Sequence, residues 1–155
     1  MPVMQDASLK QKLLASCIEY VEARINAATV AMQDAQNAAN EESKSSAGDK
    51  YETGRAMMQI ERDQAAALLD EAVKLKRTLN LINPNKHHNV VSLGSIVKTN
   101  SFNAFIAVGP SKLTVDGKVY FIVSPMSPLG KVLTGLKAGA DFTFNNKENV
   151  VVDIS

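Results

Sequence analysis

One cysteine, no tryptophan, few other aromatic residues and no long apolar run mark this 155-residue chain, and each shortage excludes something. A single thiol, Cys17, cannot close an internal disulfide, and no second Cys or His stands near it at metal-ligand spacing. It reads as a buried or half-buried helix thiol. No stretch is apolar for long enough to span a bilayer, and Met1-Pro2-Val3-Met4-Gln5-Asp6 lacks the basic stretch and apolar core of a secretory leader. A cytoplasmic protein is therefore expected, with no membrane partner. The formal net charge is only +1. Up to Asn83 there are 10 Lys and Arg against 12 Asp and Glu, and beyond it 7 against 4. Neither part is basic enough to hold nucleic acid by charge alone, so a protein partner is expected ahead of free RNA, and sequence-specific DNA binding is not expected. A phosphate-binding glycine loop, a nucleophile elbow and clustered metal ligands are all missing, which argues against a self-contained enzyme.

What the chain has in quantity is helical periodicity. Leu14, Ile18, Val21, Ile25, Ala28, Met32, Ala35 and Ala39 recur at alternating steps of four and three, which keeps one seam of a helix against a partner helix. Ala65, Leu68, Ala72, Leu75, Leu79 and Ile82 repeat the spacing, and its backward continuation runs through Glu61, Met58, Gly54 and Tyr51. The polar, helix-poor stretch 42–48 joins the two segments, about 8–41 and 50–82. An antiparallel helical hairpin projecting from a second domain is expected, each arm on the order of 50 Å long. Pro84 ends the second seam and disfavours helical geometry at Asn83. The spacing thus predicts a coiled-coil hairpin over 1–83, a linker over 84–90 and a small domain over 91–155. The adjacent His87 and His88 lie on that polar linker and read as solvent-facing.

Beyond the linker the period changes. Short β-type runs occupy 90–97, 104–108, 112–115, 119–123, 140–144 and 150–154, separated by Gly, Pro, Asn and Asp. Asp116-Gly117 suits a two-residue hairpin turn, and Asn145-Asn146-Lys147 suits a second. Gly94 and Gly109 read as strand-end or bulge glycines. One helix interrupts the strands over 127–134: Ser127 can cap it, Pro128 suits its first position, Leu129, Val132 and Leu133 form its buried face, and Gly135 suits its exit. An α+β chain is expected, its small domain an antiparallel sheet packed by one short helix.

The run Ser124-Pro125-Met126-Ser127-Pro128-Leu129-Gly130-Lys131-Val132-Leu133-Thr134-Gly135, continuing to Gly139-Ala140-Asp141, resembles the "SP-[LI]-x-[RK]-x-[LI]-x-G-x-x-x-G-D" stretch of the GreA/GreB transcript cleavage factors. The order of a hairpin, a Pro-containing linker and a β-rich domain is also similar to that family's. The resemblance implies an FKBP-like C-terminal domain and RNA polymerase as partner. The hairpin would enter the secondary channel and touch nascent RNA only indirectly, while the motif region, Ser127, Pro128, Leu129 and Lys131, would contribute to partner binding. It further implies that acidic tip residues share a Mg²⁺ with the polymerase, the factor holding no cofactor alone.

At the tip the chain departs from that family. Aligning the family's "D-x-x-E-N-A-E-Y" on Tyr51 puts Lys44 and Ala47 at the two acidic positions, and neither can ligate Mg²⁺. Asp49 and Glu52, spaced to share a helix face, are the substitute carboxylates expected to act catalytically and on the metal, with Glu41 and Glu42 as weaker candidates. The bland role for all four is to solvate the hairpin end. A non-cleaving regulator of the same channel is the alternative the tip suggests. A coiled-coil chaperone or prolyl isomerase is the reading from another class. Against it, residues 84–155 hold no Trp, and Tyr120, Phe102, Phe105, Phe121, Phe142 and Phe144 largely alternate as strand-core residues.

Overall fold

The structure, a computed structural model, describes residues 2–42 and 49–155, with side chains at 8–41 and 53–155. It is α+β: helices α1 (Pro2–Glu42) and α2 (Asp49–Asn80) precede β1 (Ile96–Thr99), β2 (Asn103–Ile106), β3 (Lys112–Val115) and β4 (Lys118–Val123). Helix α3 (Pro128–Leu133), β5 (Asp141–Phe144) and β6 (Lys147–Ile154) complete the chain. Two compact units result, Val21–Lys76 and the combination of Met1–Tyr20 with Arg77–Ser155. No helix of the described residues is long and apolar enough to cross a membrane.

The Val21–Lys76 unit is a pair of helical segments with an alanine-rich seam. Val21, Ala28, Ala35 and Ala39 are buried on α1, and Ala65 and Ala72 on α2. Lys76 Nζ lies 2.7 Å from Glu22 Oε1, so α2 returns antiparallel to α1. That pair is largely exposed and contributes at most about 1 kcal/mol. The α1 seam follows its predicted positions, and α2 follows them at Met58, Ala65, Ala72, Leu75 and Leu79 but departs at Glu61 and Leu68. Leu68 is 55% exposed, whereas Leu69 is half-buried, and Arg62 is half-buried where Glu61 was expected. Long aliphatic stems explain the change: Arg62 and Lys76 cover seam positions with their methylenes and keep their charged ends in solvent.

In the other unit the strand order is β3-β4-β2-β1-β6-β5. The expectation of a purely antiparallel sheet is corrected at one ladder, since β2 and β4 run parallel. Residues 107–111 turn the chain too widely for a hairpin, so β3 lands one strand position away and β4 fills the gap beside β2. Both predicted tight turns form. Val115 pairs with Lys118 around Asp116-Gly117, and Phe144 with Lys147 around Asn145-Asn146, with all four turn residues at positive φ. The expected strand over 90–97 shrinks to its end. Val90 makes one bridge to Lys137, and Ser92–Ser95 is a turn closed by Ser95 N donating to Ser92 O and Ser92 N to Ser95 Oγ.

Each face of the sheet has its own cover. On one face Val97, Ala104, Ile106, Val123, Val151 and Ile154 form a core with Leu133 of α3 and Phe142 of β5. Over the other lies the α1 stretch from Ser8 to Cys17: Ser8 and Leu9 border a groove with Ile96, Lys98 and Tyr120, and Leu13 and Cys17 are fully buried. A Cβ at Gly109 would meet Cys17 Sγ at 3.0 Å, so helix and loop touch with no room for a side chain. Burial pushes the Cys17 thiol up to about 12.

The linker is anchored rather than free. Lys10, 1% exposed, donates from Nζ to the Lys86 carbonyl, and His88 Nδ1 lies 2.8 Å from Ser92 Oγ. His87 is exposed as expected, but His88 is half-buried, a correction to its solvent-facing reading. Its burial, reinforced by the charges of Lys10, Lys86 and His87, lowers its pKa to about 4.

Three outcomes are expected from this packing. Gly130 must stay glycine, because a Cβ there would fall 1.8 Å from Ser124 O, whereas at Gly135 nothing lies within 4 Å and only a φ of +90° opposes a side chain. Gly130→Ala should cost about 3 kcal/mol and Gly135→Ala about 1 kcal/mol in urea denaturation. Cys17 should resist a thiol reagent at pH 8 in the folded protein and react promptly once unfolded. His88, with a folded pKa below its unfolded value, binds its proton only in the unfolded chain between about pH 6.5 and 4. Stability should thus fall as pH drops through that window, and Tm against pH should be flatter for His88→Gln.

Candidate functional site

The segment that carries the family-like motif is a turn followed by one short helix, and its residues divide into those that build it and those it displays. Ser124-Pro125-Met126-Ser127 closes when Ser127 N donates to Ser124 O at 3.0 Å and Met126 N to Ser124 Oγ at 3.2 Å. The Ser127 hydroxyl then works twice: it donates to Ser124 O at 2.6 Å and accepts from Gly130 N at 3.0 Å. This is an N-cap, and Pro128 follows at the first helical position, where no N–H is needed. At the other end Thr134 Oγ1 donates to Gly130 O at 2.6 Å, and Gly135 N to Val91 O at 2.9 Å.

Among the predicted partner-binding residues, Ser127 is thus engaged in the turn, and Leu129 is half-buried against the sheet core. Pro128 and Lys131 are exposed. Beside them Met126 is 76% exposed, and Val132, expected in the buried face, is exposed as well. Gly130 takes the inward position instead, since its backbone lies against Ser124 and Pro125. Sequence reasoning passed over Met126 because a methionine between two Ser-Pro pairs carries no periodic signal. Its display follows from the turn.

The tip carboxylates sit at helix ends. Glu42 closes α1 and Asp49 opens α2, with Glu52 one turn further on. The side chains of Glu42, Asp49 and Glu52, together with Lys44 and Ala47, lie outside the described residues; Glu41 is described and exposed. Among the described residues no three His, Cys, Asp or Glu side chains converge as a metal site. The donor chemistry at the tip fits a hard oxygen-seeking cation such as Mg²⁺, but as one or two supplementary ligands.

A separate groove of about 520 Å³ opens on the α1-covered face of the sheet. Lys98 and Lys118 line it with Asp116 and Asp153, and Lys12 reaches Asp116 at 3.3 Å. Equal numbers of lysines and aspartates along its wall give it no preference for ligands of one charge.

No family model matches this chain, and no curated protein matches it. Among solved structures it is similar to one described as "Structure of the transcription factor Gfh1", at 19% identity and a TM-score of 0.38, over 90% of this chain and 93% of that one.

Proposed function

We propose that this chain is an elongation factor of the Gre type that docks on RNA polymerase at the secondary channel. It is an accessory factor, any bond cleavage belonging to the polymerase. The observation that carries this reading is the turn before α3. Its Ser127 and Gly130 are used internally to fix the backbone, so Met126, Pro128 and Lys131 are displayed on a rigid support. A preorganised exposed surface loses little freedom on docking. The small sheet with one short helix supports an FKBP-like domain in the gripping role over 91–155, with 84–90 as linker and 1–83 as the reaching element.

Asp49 and Glu52, more than Glu41 and Glu42, are the residues that would donate oxygens to a Mg²⁺ held mainly by the polymerase. Such an ion stabilises the attacking and leaving oxygens in hydrolysis of a backtracked transcript. Lys44 and Ala47, at the positions where the family carries acids, favour a second reading in which the chain occupies the channel and regulates without cleavage. A lysine near a cation site repels the ion it would need to attract.

One assay series separates these. On a stalled, backtracked elongation complex, the cleaving factor accelerates removal of the transcript's 3′ end. The double substitution Asp49→Ala with Glu52→Ala should then abolish the acceleration with little change in polymerase affinity, because only interactions made towards the transition state are lost. Met126→Asp with Lys131→Glu should do the reverse and weaken binding at least tenfold. Binding without cleavage at saturating concentration of the native chain selects the regulator. Failure to bind the polymerase at all rejects both.

A further inference from the structure

The face of the sheet that carries α3 is not covered to its edge. Phe142, Phe102 and Phe121 form an aromatic row, with centroids 6.3 Å apart for the first pair and 6.4 Å for the second, both near perpendicular. Burial declines along it: Phe142 is 7% exposed, Phe102 is half-buried, and Phe121 is 43% exposed. Val119, two residues before Phe121 on the same face of β4, is exposed to the same extent. Cover by α3 and the β5 hairpin therefore ends at Phe102.

The charges near this bare end are of one sign. Antiparallel pairing sets Lys112 opposite Phe121 and Thr114 opposite Val119, so both project from the same face as the aromatic row. Every carboxylate on the strands belongs to the other face. Asp153 is paired with Lys98, which alternates with core residues Val97 and Thr99, while Asp141 and Glu148 alternate with Phe142 and Asn149. Because the Phe102–Phe121 contact is edge to face, at least one flat surface of the Phe121 ring is left uncovered by Phe102.

We infer that Phe121, with Phe102 behind it and Lys112 beside it, is a stacking site for an unpaired base of single-stranded RNA. An exposed ring offers a surface that any base can stack on, and a neighbouring lysine can meet the phosphate attached to it. Size favours this occupant over a protein segment. The exposed parts of Phe121 and Val119 come to on the order of 150 Å², against about 800 Å² per partner for a stable protein interface. A single base needs no more than one ring face. The net charge of +1 requires the contact to be driven by stacking, with one or two phosphates engaged.

The chain contains no tryptophan, so Phe121→Trp in the full chain introduces a single indole that reports on its own stacking. Oligouridine of about 10 nucleotides should quench its emission, whereas duplex RNA of mixed sequence, whose bases are already stacked, should not. Labelled oligouridine should bind Phe121→Ala about tenfold more weakly than the native chain, and Lys112→Glu should weaken it too. Lys118→Glu, on the opposite face, should leave binding unchanged. Absence of quenching by oligouridine, equal affinity of the native chain and Phe121→Ala, or equal loss in Lys118→Glu overturns the assignment. Quenching by an apolar helical peptide but not by oligouridine overturns it as well, and makes the surface a protein-docking face. Because Phe121→Trp keeps an aromatic ring in place, the test survives if Phe121→Ala does not fold.

Discussion

A six-stranded sheet exposes two faces, and the β-rich part of this chain supplies only one helix of six residues to cover them. That shortage organises the unit around it. The second face is partly covered by α1, from the opposite end of the sequence: Ser8 and Leu9 border a groove with strand residues Ile96, Lys98 and Tyr120, and Cys17 lies against the loop before β3. The place where Cys17 meets Gly109 admits no side chain on the loop. Each part of the unit thus depends on residues that sequence order sets far apart.

Electrostatics enter at the junction between these parts. Lys10 is buried almost completely on α1 and spends a hydrogen bond on the carbonyl of Lys86. Bringing an ammonium group out of water is costly unless it is well partnered, so the site tolerates little further positive charge. His88 stands within that field and remains neutral at ordinary pH, which lets its ring serve as a hydrogen-bonding partner of Ser92. A linker that looks polar and loose in sequence is in fact fixed by one buried cation and one uncharged imidazole.

Local chemistry made much of this legible. The Ser-Pro start and Gly exit of α3, the two tight turns and five of the six strands could be read because each depends on the preferences of adjacent residues, whereas the run over 90–97 reached β1 only at its last two residues. What escaped depended on distant partners. Nothing local distinguishes β4 as a parallel neighbour of β2, because its position follows from where β3 lands. Val132 and Gly130 were misjudged by hydrophobicity alone: the helix approaches Ser124 so closely that only a glycine fits inward. His88 was missed because its burial, and the charge of Lys10 from the far end of the sequence, are not local properties of the linker. Of the candidate site, the turn was visible in its motif, whereas the display of Met126 followed from the geometry of that turn and Phe121 became visible only once the cover over the sheet could be traced.

The exposed Leu68 bears on how α2 chooses its orientation. Met58, Ala65, Ala72 and Leu79 belong equally to a seam completed by Glu61, Leu68 and Leu75 and to one completed by Arg62, Leu69 and Lys76. In apolar content the first is richer, yet burial follows the second at Arg62 and Leu69. In this setting Glu61 points outwards and Lys76 reaches Glu22. Leu75 and Lys76 are both half-buried, so α2 departs from the first seam only at Glu61 and Leu68, in its middle turns. A charged stem can thus take the place of an apolar side chain along a helix seam whose buried positions between Arg62 and Lys76 are alanines.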